Sequence, residues 1–173
     1  DVGAVGARLL YPDRRIQPGG VLLGVGGVAG HAHHGLAHDD LGYYCRAQLV
    51  QEMSAVTAAC LVVSKRNYQA VGGLNAEQLR VAFNDVDLFL KLLEHGLHNV
   101  YAATAVLLHH ESVSRGYEDT PAKQARFAAE VAWMQQRWGD RLTSDPAYNP
   151  NLSLDRAPFS LAWPPRLERW PSG

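Results

Sequence analysis

Two polar clusters sit at the ends of otherwise apolar segments, and they constrain the fold more than any other feature of the chain. They are Phe83-Asn84-Asp85-Val86-Asp87-Leu88 and His109-His110-Glu111-Ser112-Val113-Ser114. Asp85 and Asp87 open residues 85–95, where Leu88, Phe89, Leu90, Leu92 and Leu93 are apolar nearly all round, so a buried helix stopped by Gly96 is predicted. His109 closes the strand-like run 102–108. Rigid elements would thus carry two carboxylates and an imidazole to a common rim, a placement that suits catalysis.

The chain has 173 residues and fits one domain, because domains usually run to about 100–200 residues. With 47% hydrophobic and 19% charged residues it can bury a sizeable core. A net charge of -1 leaves no electrostatic footprint for nucleic acid, so no nucleic-acid partner is expected. No apolar run approaches the roughly 20 residues that cross a bilayer, and the start of the chain has no signal-peptide pattern. Cys45 and Cys60 form neither a Cys-x-x-Cys unit nor a disulfide framework. Cys60 reads as a small buried hydrophobe, and a reducing, cytoplasmic setting is expected.

Residues 2–10 and 16–25 read as strands joined by a turn at 11–14, with a bend at Pro18-Gly19-Gly20. Residues 26–44 hold five glycines and four histidines without a period and read as a long loop. A buried strand is expected at 56–63, then short helices at 65–71 and 77–82, and further strand within 100–108. Residues 121–142 form the longest helix: Pro121 suits its first turn, and Phe127, Val131, Met134 and Trp138 recur along one face. Pro and Asn accumulate afterwards. The expected organisation is a domain at 1–148 and an extended arm at 149–173 lying against it.

Each polar group also has a structural explanation. Asn84, Asp85 and Asp87 fit a helix N-terminus, where such residues cap free N–H groups. His109 fits a hydrogen-bonded residue at a strand end. His31, His33, His34 and His38 lack the Cys or acidic partners of a zinc site; their loop either closes over substrate or is an ordinary surface loop, with Asp39 and Asp40 as surface acids. The small residues of Thr57-Ala58-Ala59-Cys60 leave room for a ring or simply pack. Arg115 can pair with a phosphate. Trp133, Trp138, Trp163 and Trp170 can stack on sugars, though Trp138 at helical spacing reads as core.

Five segments in order carry a resemblance: residues 2–13 (Val-Gly-Ala-Val-Gly-Ala-Arg-Leu-Leu-Tyr-Pro-Asp), residues 54–60 (Ser-Ala-Val-Thr-Ala-Ala-Cys), Val71-Gly72-Gly73-Leu74, Asn84-Asp85-Val86-Asp87-Leu88 and His109-His110-Glu111-Ser112. Together they resemble the later half of family 2 glycosyltransferases, bacterial rhamnosyltransferases of surface-polysaccharide synthesis in particular, from the first residue to about residue 165. The resemblance implies an α/β fold, the later half of a GT-A fold with a mixed sheet flanked by helices. It implies inverting transfer from a nucleotide-sugar donor to a glycan acceptor. Asp85 would be the general base and Asp87 an acceptor-binding or orienting residue. Thr57 and Ala58 would line the floor near the transferred sugar. His109 would ligate a divalent metal, Mn2+ or Mg2+.

In that family the donor-binding half, with its Asp-x-Asp motif, lies upstream of the point where this chain begins. The chain is therefore expected to be a fragment, inactive by itself, with the other metal ligands in the missing half. A sheet edge left uncovered in this way would favour self-association. The work would be cytoplasmic or peripheral to the inner membrane. A noncatalytic carbohydrate-binding or subunit-interaction module is the competing expectation, and a hydrolase built on Asp85, Asp87, His109 and His110 a third.

Overall fold

The computed structural model describes residues 1–110, 120–155 and 157–166. In chain order its elements are β1 (Val2–Leu10), β2 (Val21–Leu23), β3 (Ala29–His31), β4 (Gln51–Glu52), β5 (Leu61–Val63), α1 (Lys65–Ala70), α2 (Asn84–Glu94), β6 (His98–Leu108) and α3 (Pro121–Thr143). Four strands form one mixed sheet in the order β4-β6-β1-β5, with β1 and β6 parallel and both outer pairings antiparallel. β2 and β3 make a separate antiparallel ribbon. With helices packed on the mixed sheet, the architecture is the expected α/β class.

β1 is an almost unbroken apolar run because it is central: Ala4, Ala7, Leu9 and Leu10 are buried, with neighbours on both edges. Gly6 belongs there for a steric reason. A Cβ at that position would lie 2.5 Å from the Cβ of Val56, which crosses directly over the strand. After a first shift between Val2 and Ala4, β6 follows β1 in register from Asn99 to Ala102, then shifts again so that Arg8 faces Val106, leaving residues 103–105 as a bulge.

α2 buries Val86, Leu88, Phe89, Leu90 and Leu92 against β1 and β6. Thr120 caps α3 by accepting the Lys123 N–H, and Pro121 starts it where a missing N–H is harmless. From α3, Met134, Trp138 and Leu142 enter the same core as α2 and β2. Phe127, expected on that face, lies at its margin beside Phe83, with ring centroids 5.6 Å apart.

Three sequence expectations need correction. Only Leu61–Val63 of residues 56–63 is strand, at the sheet edge, because residues 57–59 turn away to meet α2. Residues 77–82 form turns and bends instead of a helix, since the N–H groups of 80–82 donate to a side chain of α3. Residues 16–25 contribute strand only at Val21–Leu23, and the supposed loop 26–44 supplies its partner strand. Beyond residue 148 the described chain is stitched down: Leu152 pairs with Leu161, Gly26 N–H donates to Leu154, and Arg166 donates to the carbonyls of Thr143, Leu152 and Asn149. Among the described residues no helix is long and apolar enough to cross a membrane.

Candidate functional site

The topology brings the two polar clusters to one end of the sheet. α2 turns through residues 95–97 into β6 and packs on β1 and β6, so it runs antiparallel to them and its first turn lies toward their carboxyl ends. β1 and β6 are parallel, and the His109 N–H extends their pairing by donating to Leu10 O at 2.9 Å. Asp85 and His109 therefore share the carboxyl rim of the parallel pair, where ligands bind in open α/β sheets.

Asp85 is half-buried in the first turn of α2. Its Oδ1 accepts the Val86 N–H at 2.9 Å, and its Oδ2 accepts the Ala58 N–H at 3.2 Å. The second bond ties the acid to the 57–59 turn, where Thr57 is buried and its Oγ1 accepts the Ala59 N–H at 3.2 Å. Ala58 and Ala59 are exposed beside the carboxylate. Asp85, Thr57 and Ala58, 27 residues apart at the bond that joins them, thus form one surface. Asp85 does not act as a conventional cap; the N-cap position is Phe83, which makes no capping bond.

What sets the position of Asp85 is a residue that sequence reasoning missed. Glu130 of α3 is 2% exposed, and its carboxylate accepts three successive N–H groups. Oε1 takes those of Arg80 and Val81 at 3.0 Å each, and Oε2 takes that of Ala82 at 2.9 Å. The next residue, Phe83, is left-handed with φ of 59°, a conformation that costs a non-glycine residue about 1 kcal/mol or more. The Glu130 clasp and the Phe127 ring hold it there. One signal was legible: Glu130 lies on the apolar face of α3, three positions after Phe127 and four before Met134, where an acid needs buried partners.

Asp87 points elsewhere. It is 1% exposed, accepts the Trp138 Nε1–H at 3.0 Å, and lies 2.9 Å from Lys91 Nζ. Asp87 thus links α2 to α3 through its Oδ1 and faces the Lys91 ammonium with Oδ2, a placement that fits an orienting role.

His109 is pinned through Nδ1, which lies 2.6 Å from Gln17 Oε1. With the carboxamide oxygen accepting, Nδ1 is the donor and Nε2 is the ring nitrogen left over. Gln17 was not legible as a partner, since it reaches His109 only through the turn that returns to β1, where its N–H donates to Leu9 O at 2.9 Å. Among the described residues no three His, Cys, Asp or Glu side chains are grouped to hold a metal. His110 is exposed. Glu111, Ser112, Ser114 and Arg115 lie outside the described residues, as does Trp170.

The histidine loop folds beside the same rim. Tyr11, just past β1, places its hydroxyl 3.1 Å from His34 Nε2. His33 is buried and stacks on Phe159 with centroids 4.7 Å apart; Phe159 stacks on Tyr43 at the same 4.7 Å. Burial pushes the His33 imidazole below its ordinary value; a Gly19 backbone contact and Asp40 oppose that shift, and Arg46 reinforces it. A cavity of about 710 Å³ opens between this loop and residues 158–159. Asp39 and Asp40 are exposed, in keeping with surface acids.

Curated proteins similar to the chain include two large ones. The protein named uncharacterized protein y4gI, of Sinorhizobium fredii, is 54% identical over 169 residues, covering 98% of this chain and 18% of that protein. The O-antigen biosynthesis protein RfbC of Myxococcus xanthus is 33% identical over 157 residues, covering 89% of this chain and 12% of its own length. The chain thus spans less than a fifth of either relative. No protein-family model matches the chain, and no solved structure matches it.

Proposed function

We propose that this chain supplies the acceptor-side catalytic surface of an inverting glycosyltransferase of GT-A type that acts in polysaccharide synthesis. The observation that carries the reading is Asp85: a half-buried carboxylate, anchored by two backbone N–H groups over small exposed residues, at the sheet rim it shares with His109. The similarity to an O-antigen biosynthesis protein supports the same reading. A nucleotide-sugar donor would place the work in the cytoplasm, peripheral to the inner membrane if the acceptor is lipid-linked.

In this reading an acceptor hydroxyl attacks the anomeric carbon of the donor. The new carbon–oxygen bond forms as the bond to the nucleoside diphosphate breaks, and the hydroxyl proton passes to the free lone pairs of Asp85. The two N–H bonds hold the carboxylate in one orientation, so little reorganisation accompanies proton transfer. Thr57 and Ala58 form the floor beside it. His109 would contribute Nε2 to a divalent metal, Mn2+ or Mg2+, with donor phosphate oxygens and groups from outside this surface completing the set. When bound, that metal supplies Lewis-acid stabilisation of the leaving diphosphate. Asp87 supports the site through Trp138 and Lys91, and Arg115 is assigned to phosphate pairing.

The test is Asp85→Asn in the whole protein, supplied with UDP-, GDP- and dTDP-sugars, Mn2+ and a lipid-linked oligosaccharide acceptor, following nucleoside diphosphate release. A fall of about 10²–10⁴-fold in kcat with an unchanged melting temperature is expected for loss of a general base. Activity within about tenfold of wild type would remove Asp85 from that role. No release by the wild-type protein with any donor would favour the noncatalytic carbohydrate-binding module.

A further inference from the structure

The cavity beside the histidine loop has features that the Asp85 and His109 chemistry does not use. His31, His33, His34, Asp40, Tyr43 and Phe159 line it, and its volume of about 710 Å³ falls in the range of small-ligand sites, roughly 300–1,000 Å³. His33 is 6% exposed, and its ring nitrogens are met within the protein by nothing stronger than a contact to the Gly19 backbone. Buried polar groups left this way in a native fold call for an explanation.

The backbone around it is held in conformations that ordinary residues avoid. His33, Tyr44 and Cys45 have φ of 58°, 48° and 63°. Of the three, His33 lines the cavity, and holding it there costs conformational energy. Gly42 closes one side of His33, and a Cβ there would sit 2.8 Å from Nε2, so no other residue fits without moving the ring. The stack of His33, Phe159 and Tyr43 is therefore a fixed wall.

The lining chemistry selects among ligands. A carboxylate at Asp40, with no lysine or arginine in the lining among the described residues, disfavours an anion. Among the described residues no group of His, Cys, Asp or Glu is arranged for a metal, although three histidines and an acid line the cavity. Neutral imidazoles donate and accept hydrogen bonds, Asp40 accepts them, and aromatic rings offer flat apolar surface. A ring with hydroxyls on its edge and C–H groups on its face matches all three. The cavity also adjoins the catalytic rim, because Tyr11 at the end of β1 contacts His34.

We propose that this cavity is a glycan subsite that holds an uncharged pyranose of the acceptor, next to the sugar whose hydroxyl reacts at Asp85. The assignment of the ligand as acceptor rests on the proposed transferase reading; the binding of a sugar ring does not.

The experiment is an NMR titration of the protein with methyl α-glycosides of rhamnose, glucose, galactose and mannose, repeated with EDTA. At least one glycoside should bind with millimolar Kd, EDTA should leave the affinity unchanged, and the shifts should centre on residues 31–44 and 158–159. Asp40→Asn and His31→Ala, both at exposed positions that line the cavity and spare the core, should each weaken binding at least threefold. Asp85→Asn should bind as wild type while losing transfer, which separates the subsite from the chemistry. Shifts confined to the Asp85 surface, or affinities unmoved by both loop variants, would overturn the subsite. Perturbation of the histidines by Zn2+ or Mn2+ without response to any glycoside would replace it with a metal site. Sugar binding that depends on the loop in a protein without transferase activity would sustain the subsite and remove the transferase reading.

Discussion

Replacing Glu130 should unsettle the segment that presents Asp85, and the size of the effect follows from its contacts. Its carboxylate accepts the N–H groups of Arg80, Val81 and Ala82, at 3.0, 3.0 and 2.9 Å. A hydrogen bond to a charged group contributes about 1.5–3 kcal/mol, so three would sum to at least ~4.5 kcal/mol if none were replaced. Arg80 is exposed and Val81 and Ala82 are half-buried, so water recovers some of that, and Glu130→Ala should cost about 3 kcal/mol. Glu130→Gln keeps one carbonyl oxygen for two donors but sets an NH2 against the third, for a loss of about 1.5 kcal/mol. At roughly 2–4 °C per kcal/mol for a chain of this length, the alanine variant should melt about 6–12 °C lower.

Urea unfolding followed by circular dichroism measures the global effect. Hydrogen exchange on the peptide spanning residues 79–84 measures the local one, and its amides should lose protection in proportion. Because Phe83 is held left-handed next to the clasp, its relaxation in the variant should shift Asp85 away from Ala58 and, in the proposed reading, lower transfer as well. Glu130→Ala within about 0.5 kcal/mol of wild type, with unchanged exchange at residues 80–82, would refute the clasp.

Trp138→Phe leaves Asp87 without its indole donor and should cost about 1–3 kcal/mol, whereas Arg137→Ala, which breaks an exposed pair with Glu94, should cost under about 1 kcal/mol; paired urea curves would show the contrast. Because burial lowers the His33 pKa in the folded state, the unfolded chain binds its proton first. Stability from this group is thus fully present above its ordinary value of 6.5 and is lost as pH falls from there through the folded value. Melting temperatures from pH 7.5 to 4.5 should show that decline, and His33→Phe should flatten it; equal slopes in both proteins would contradict the burial. At the end of β6, Val106, Leu107 and Leu108 are 43%, 47% and 60% exposed; they pair with β1 on one side, and among the described residues β4 covers the other side only at Val100 and Tyr101, so self-association through that side should be reduced by Leu107→Lys/Leu108→Lys in light scattering.

Much of the architecture was written locally. The apolar run of β1, the helix opening at Asn84, the capped and Pro-started α3 and the strand ending before His109 each follow from a pattern that neighbouring residues complete by themselves. The sequence also singled out its polar groups as candidates. It could not say which of them would be free. Asp85 and Asp87 are two residues apart on one helix turn, yet one lies half-buried at the rim while the other is enclosed beneath Trp138, 51 residues later. Which face of α2 meets α3 settles that, and helix packing is a tertiary choice.

The same distinction explains the rest. Residues 77–82 carry a helical composition, but their N–H groups find a better acceptor in a buried carboxylate contributed by α3. The 57–59 turn leaves its strand because Asp85 takes its amide. Gln17 meets His109 across 92 positions, and Phe159 meets His33 only after the chain has returned over the histidine loop. Sequence by itself determined the elements whose hydrogen bonds and apolar periods close within a few residues. Tertiary structure decided every contact in which a polar group must be satisfied from far along the chain, because burial leaves such a group no solvent to bind and makes its partner a matter of packing.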